Sequence, residues 1–154
     1  MFYEMRKFIF FGIIALSMMK MSCYGKNHQS LEPPGGRFAP CPKTPNCVSS
    51  LSRDPQHAIS PIMYLKQEHP FNDLVRTIEE LPKVEFRIRE ENYLYVLVRS
   101  RIFSFIDDVE FFYDKKKGIV HMRSSSRTGY FDFGKNRKRL EYVRRSFLEK
   151  VSLN

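Results

Sequence analysis

Between Pro70 and Pro82 the apolar residues Phe71, Leu74, Val75, Ile78 and Leu81 recur at helical spacing, which predicts an amphipathic helix. Proline suits its first turn and stops it at the far end. The period then changes to two. Val84, Phe86 and Ile88 alternate with Glu85, Arg87 and Arg89, and a turn at Glu91 and Asn92 leads into Tyr93 to Ser100, a β-hairpin. A second hairpin runs from Ser104 to Asp114 and from Ile119 to Ser126, around Lys115, Lys116, Lys117 and Gly118. If those four residues form the loop, Asp114 faces Ile119. Val109, Phe111 and Tyr113 then share a face with Val120, Met122 and Ser124, while Glu110 stands opposite Arg123 and Asp108 opposite Ser125 on the other. A slip of one residue would set Arg123 against Val109 and spoil both faces. The last element runs from about Arg137 to Val151, with Leu140, Val143, Phe147 and Val151 along one side and Asn136 as its N-cap. This order predicts an α+β fold: a four-stranded antiparallel sheet of two hairpins with two amphipathic helices on one face.

Upstream the pattern is of another kind. Arg6 and Lys7 precede an apolar run from Phe8 to Met19, and Lys20, Ser22 and Gly25 follow, the layout of a secretory signal. The run is short for a hydrocarbon core of roughly 30 Å, so a transmembrane span is the weaker alternative. Residues 1–24 are therefore expected to be a signal peptide or a short membrane anchor, 25–39 a Pro/Gly-rich linker, and 40–154 a single globular domain. Cys23, next to Ser22, is a candidate for lipidation, although Lys20 stands where lipoproteins usually carry an aliphatic residue. Cleavage without lipid and an uncleaved anchor stay open beside it. Prolines from Pro33 to Pro61 deny the lead-in a helix. Within it, C-P-K-T-P-N-C holds Cys41 and Cys47 close enough to bridge. The expected location is the cell envelope, in the periplasm, either free or tethered through the N-terminus or a lipid on Cys23.

Charge sharpens the picture. The 154 residues carry 26 Lys and Arg against 17 Asp and Glu, a formal charge of +9, which favours acidic partners such as phosphates, anionic lipid surfaces or acidic proteins. Between Asp107 and Glu141 acidic and basic clusters alternate. Arg137, Lys138 and Arg139 sit in the predicted first turn of the last helix, where the macrodipole disfavours cations and calls for something negative nearby. That partner is either internal, from Asp107, Asp108, Glu110 and Asp132, or external. An external phosphate or carboxylate would be held by exposed N–H groups with Arg127 and Arg137, Ser124 and Ser126 adding hydroxyls. The candidate polar site therefore comprises Asp107, Asp108, Glu110, Arg123, Ser124, Ser126, Arg127, Asp132, Asn136, Arg137 and Arg139. Gly129 and Gly134 bracket a turn that could close over it. The lysines at Lys115 to Lys117 keep a hairpin tip soluble or touch an anionic surface.

Other chemistries find less footing. Cys41, Cys47, His57 and Ser49 form no nucleophile motif, and paired cysteines in an exported chain are expected to be oxidised. Four scattered histidines give no metal spacing, so neither metal nor cofactor is expected. Asp108 and Glu110 share a strand face as an acid and base pair would, but their basic neighbours are expected to pair with them instead. Export and the core-like alternation of the aromatics argue against nucleic acid.

Five ordered stretches carry a family likeness: C-P-K-T-P-N-C-V-S-S at Cys41 to Ser50, H-A-I-S-P at His57 to Pro61, F-I-D-D-V-E-F at Phe105 to Phe111, R-S-S-S-R-T-G at Arg123 to Gly129, and D-F-G-K-N-R-K-R-L-E at Asp132 to Glu141. In these the chain resembles domain-of-unknown-function family fourteen ninety-nine, from roughly Pro40 onward. The resemblance implies that Cys41 to Ser50 belongs to the domain. It brings no established activity, ligand or catalytic residue. The reading that results is an exported, non-enzymatic envelope domain that binds an anionic group or partner, the alternative being a small hydrolase or transferase acting on a phosphorylated or carboxylated substrate. A concave pocket lined by Arg127, Arg137 and an unpaired carboxylate would favour the enzyme, and a packed, fully paired network the structural reading, in which the charges neutralise one another.

Overall fold

A computed structural model describes residues 38–63, 70–100 and 105–152. The expected signal or anchor, Cys23 and most of the linker lie outside them, as does Ser104. Elements in chain order are β1 (Cys47–Ser49), β2 (Ile62–Met63), α1 (Pro70–Glu79), β3 (Val84–Arg89), β4 (Tyr93–Arg99), β5 (Ile106–Asp114), β6 (Ile119–Ser126) and α2 (Lys135–Ser152). The described strands form an antiparallel sheet in the order β1-β6-β5-β4-β3, with β2 also pairing β6.

Alternation decides which side of the sheet is dry. Leu94, Val96 and Val98 on β4, Val109 and Phe111 on β5, and Val120 and Met122 on β6 join Phe71, Leu74 and Ile78 of α1 and Leu140, Val143 and Phe147 of α2 in one buried cluster. Both helices thus cover the same face. The expected register of the second hairpin is the observed one, with Asp114 opposite Ile119, Glu110 opposite Arg123 and Asp108 opposite Ser125.

Among the described residues the sheet has six strands rather than the four expected. The additional two come from the proline-rich lead-in and the residues just after it. Cys47 to Ser49 pair with Ser125 to Arg123, and Ile62 and Met63 pair with Val120 and Ile119. Two or three residues are too few to show a period, yet Val48 and Ile62 both reach the core. Cys47 is bonded to Cys41, with the two Cα atoms 5.6 Å apart.

The second correction concerns the start of α2. Phe133 and Gly134 have φ of 57° and 71°, and this left-handed pair turns the chain so that α2 begins at Lys135. Gly134 O accepts the first helical bond, from Lys138 N–H at 3.0 Å. Asp132 then caps the end, its carboxylate accepting the N–H groups of Gly134 and Asn136 at 2.9 and 2.8 Å. Asn136, expected to be the N-cap, lies inside the first turn and is fully buried.

Candidate functional site

Residues adjacent on a strand point to opposite faces, so the predicted cluster does not meet at one place. The sheet divides it in two. On the helix side lie Asp107, Ser124, Ser126, Asn136 and Arg139. On the open side, where neither helix packs, lie Asp108, Glu110, Arg123 and Arg127.

Asn136 organises the helix side. Its side-chain oxygen accepts from Ser124 Oγ at 2.5 Å and Arg139 Nη1 at 2.8 Å. Its nitrogen donates to Asn46 O at 2.9 Å and Ser126 Oγ at 3.0 Å. An amide can accept twice and donate twice, so this one is satisfied in full. Arg139 also donates to Ser124 Oγ at 3.0 Å and pairs with Asp107 Oδ2 at 2.6 Å. The Asp107 carboxylate thereby neutralises a guanidinium in the first turns of α2, as the macrodipole argument requires. Asn46 extends the network, its own Nδ2 reaching Gly129 O at 2.5 Å.

The open side is a polar stripe across three strands. Tyr93 and Tyr95 come from β4, Asp108 and Glu110 from β5, Arg123 and Arg127 from the β6 end of the chain. Arg123 pairs with Glu110 at 2.7 Å, their side chains only 5% and 10% exposed, and Tyr93 Oη donates to the other oxygen of Glu110 at 2.7 Å. Arg127 grips Asp108 through Nε and Nη2, at 3.1 Å and 2.9 Å to Oδ1, and also donates to Tyr95 Oη at 2.9 Å, which in turn donates to Asp108 at 2.6 Å. Burial, followed by the negative charge of Glu110, pushes the Tyr93 phenol far above its ordinary value. Tyr95 is pushed up to about 12, first by burial and then by its bond to Asp108. The bond to Asp108 likewise raises Arg127. Arg123 Nε alone is buried without a hydrogen-bond partner among the described residues.

Asp132 belongs to neither half, since it caps α2. Arg137 reaches the other way, donating to the backbone oxygens of Ala58 and Gln56 at 2.6 and 3.1 Å. It fastens α2 to the segment between β1 and β2. The lysines of the hairpin tip are partly answered: Lys115 pairs with Glu91, and Lys117 with Asp114 at 2.9 Å. The bond from Lys117 holds the Asp114 carboxyl below its ordinary range.

Beside the helix-side half a cavity of about 480 Å³ opens at the start of α2. Leu81, Pro82, Val98 and Tyr142 give it apolar walls, while Arg99, Lys135, Lys138 and Arg139 supply cations around Asp107, the one carboxylate among the described lining residues. Asp107 is held by Arg139 and Arg99 by Glu85. Lys135 and Lys138 have no carboxylate partner among the described residues. Arg127 and Arg137, the cations expected to line such a pocket, do not line this one. No group of His, Cys, Asp and Glu among the described residues is placed to hold a metal, and no described helix is long and apolar enough to cross a membrane.

Residues 37–147 match the family described as "Protein of unknown function (DUF1499)". The chain belongs to the DUF1499 family. No curated protein and no solved structure matches it. Both halves of the polar cluster, the cavity and the disulfide lie inside the span matched to DUF1499, while the apolar run Phe8 to Met19 lies outside it. Sequence reasoning missed Asn46, Tyr93 and Tyr95 in this DUF1499 domain. The tyrosines could have been found, because they alternate with the core residues Leu94 and Val96 and so fall on the face of Asp108 and Glu110. Asn46 left no such signal, since its partners are mostly backbone groups far along the chain.

Proposed function

We propose that this DUF1499 domain is an exported, non-enzymatic domain of the cell envelope that holds an anionic group in the cavity at the start of α2. The observation that carries the reading is the unbalanced charge there: Arg139 is paired with Asp107 and Arg99 with Glu85, which leaves Lys135 and Lys138 at the cavity without a carboxylate partner among the described residues. A cavity of this size with apolar walls and a few convergent polar groups suits a small amphiphilic ligand, whose negative end would meet Lys135 and Lys138. Export rests on the signal-like N-terminus and agrees with the Cys41–Cys47 bridge. The competing hydrolase or transferase finds no support in the carboxylates, because Asp107, Asp108 and Glu110 are each engaged by an arginine. A general acid or base needs a carboxyl poised to exchange a proton with substrate.

Thermal denaturation tests the binding. Inorganic phosphate at saturating concentration should raise the melting temperature by about 3 °C or more over sodium chloride of equal ionic strength. Lys135→Glu with Lys138→Glu should abolish that difference. Equal shifts in wild type and variant would refute the cavity as the site. Export is checked separately by fractionating cells and weighing the mature chain.

A further inference from the structure

The loop between β6 and α2 exposes Tyr130, Phe131 and Phe133 over 72%, 54% and 74% of their surface. One exposed aromatic is ordinary, but three within four positions make a patch that asks for a partner. The loop begins where Arg127 N–H donates to Ile106 O at 3.0 Å, next to Phe105, which is 48% exposed.

The loop is tied down. Asn46 holds Gly129 O, and Asp132 holds the N–H groups that follow. Phe133 adopts a φ of 57°, a conformation unfavourable for any residue with a Cβ. Its ring contacts Phe131 edge-on at 5.1 Å, and both rings face outward. Such strain, kept to display a side chain rather than to bury it, is a reason to look for a function.

The uncompensated charge next to the patch, among the described residues, is positive. Lys135 and Lys138 are exposed without carboxylate partners among the described residues, whereas Arg127 at the start of the loop is neutralised by Asp108. Asp132, the only acidic residue between Arg127 and Arg139, turns its oxygens to the start of α2. Apolar rings beside a cationic rim match the boundary of an anionic bilayer, where aromatic rings settle at headgroup depth and lysines meet lipid phosphates. We propose that the Tyr130–Phe133 loop docks the domain on an anionic membrane surface. The aromatics do not line the α2 cavity, so the proposal stands whether or not that cavity takes an anion.

The sequence contains no tryptophan, which allows a single reporter in the full chain. Phe133→Trp should shift its emission to the blue on vesicles of phosphatidylcholine with phosphatidylglycerol, and brominated acyl chains should quench it. Met63→Trp, opposite Ile119 at the other end of β6, should stay unquenched. Adding Lys135→Gln and Lys138→Gln should weaken partitioning by about thirtyfold. Phe131→Ser with Phe133→Ser should remove loop insertion, read by a reporter at Tyr130→Trp, while leaving any phosphate-induced thermal shift intact. Equal quenching at positions 63 and 133 would overturn the proposal, as would equal insertion into vesicles lacking phosphatidylglycerol. An emission unmoved by either vesicle would also overturn it and leave the patch to a protein partner.

Discussion

Asp107 and Asp108 are neighbours in sequence, and the sheet sends them to different tasks. Asp107 meets Arg139 among the amide and hydroxyls around Asn136, so its pair is wired to the first turns of α2 and to the wall of the cavity. Asp108 meets Arg127 and Tyr95 on the open face, where with Glu110, Arg123 and Tyr93 it bolts β4, β5 and β6 together. The first arrangement positions a helix end that a ligand could use. The second is spent inside the sheet. Adjacent acidic residues on a strand are therefore evidence for two sites rather than one strong one.

Unequal responses to mutation would sharpen this contrast. The largest effect is expected at Glu110→Ala, which strands Arg123 in a buried position and should cost about 3–5 kcal/mol in denaturant unfolding. Replacing both partners, Glu110→Leu with Arg123→Met, should recover most of that loss, because the desolvation of both charges disappears with them. A double variant no better than the single one would show that the open face needs its charges and would break the contrast. Next comes Asn136→Ala on the helix side, which removes four hydrogen bonds and exposes their partners to the lack of one, about 2–4 kcal/mol. It should also weaken any phosphate-induced thermal shift, a readout that the open-face variants should leave alone. Loss of the bridge by Cys41→Ser with Cys47→Ser should cost about 2 kcal/mol, as expected for so short a loop.

The smallest change at neutral pH belongs to the tyrosines, and its sign follows from their raised pKa values. The folded protein binds the phenolic protons more tightly than the unfolded chain, in which they leave near pH 10. Their contribution to stability is thus complete below about pH 10 and is lost as pH climbs through 10 toward about 12. Tyr93→Phe with Tyr95→Phe should flatten that alkaline decline. Chemical denaturation at several pH values, with tyrosinate absorbance as the titration record, checks it.

Much of this was legible because one face of the sheet is dry. The period of two fixed the pairing of β5 with β6, including Glu110 with Arg123, and the helical spacing located α1 and α2. Residue preference misplaced the cap: Asn136 suits an N-cap by type, but the left-handed turn at Phe133 and Gly134 and the carboxylate of Asp132 start the helix earlier. β1 and β2 were invisible because each is shorter than the pattern that reveals a strand. The division of the cluster was implicit in the alternation of Asp107 and Asp108. The cavity was not, since it takes Leu81, Arg99 and Lys138 from separate elements whose packing no local pattern encodes.

β1 and β2 lie end to end along β6, and Ser50 bridges them by accepting the Met122 N–H at 2.9 Å. A margin covered in this way presents no row of unmet amides to a passing chain, and the far margin, β3, carries Glu85, Arg87 and Arg89. Together they guard the molecule against growing into filaments by strand addition. The stretch between Cys41 and Met63 therefore works as a seal, and cutting it away would turn a self-contained sheet into a template for aggregation.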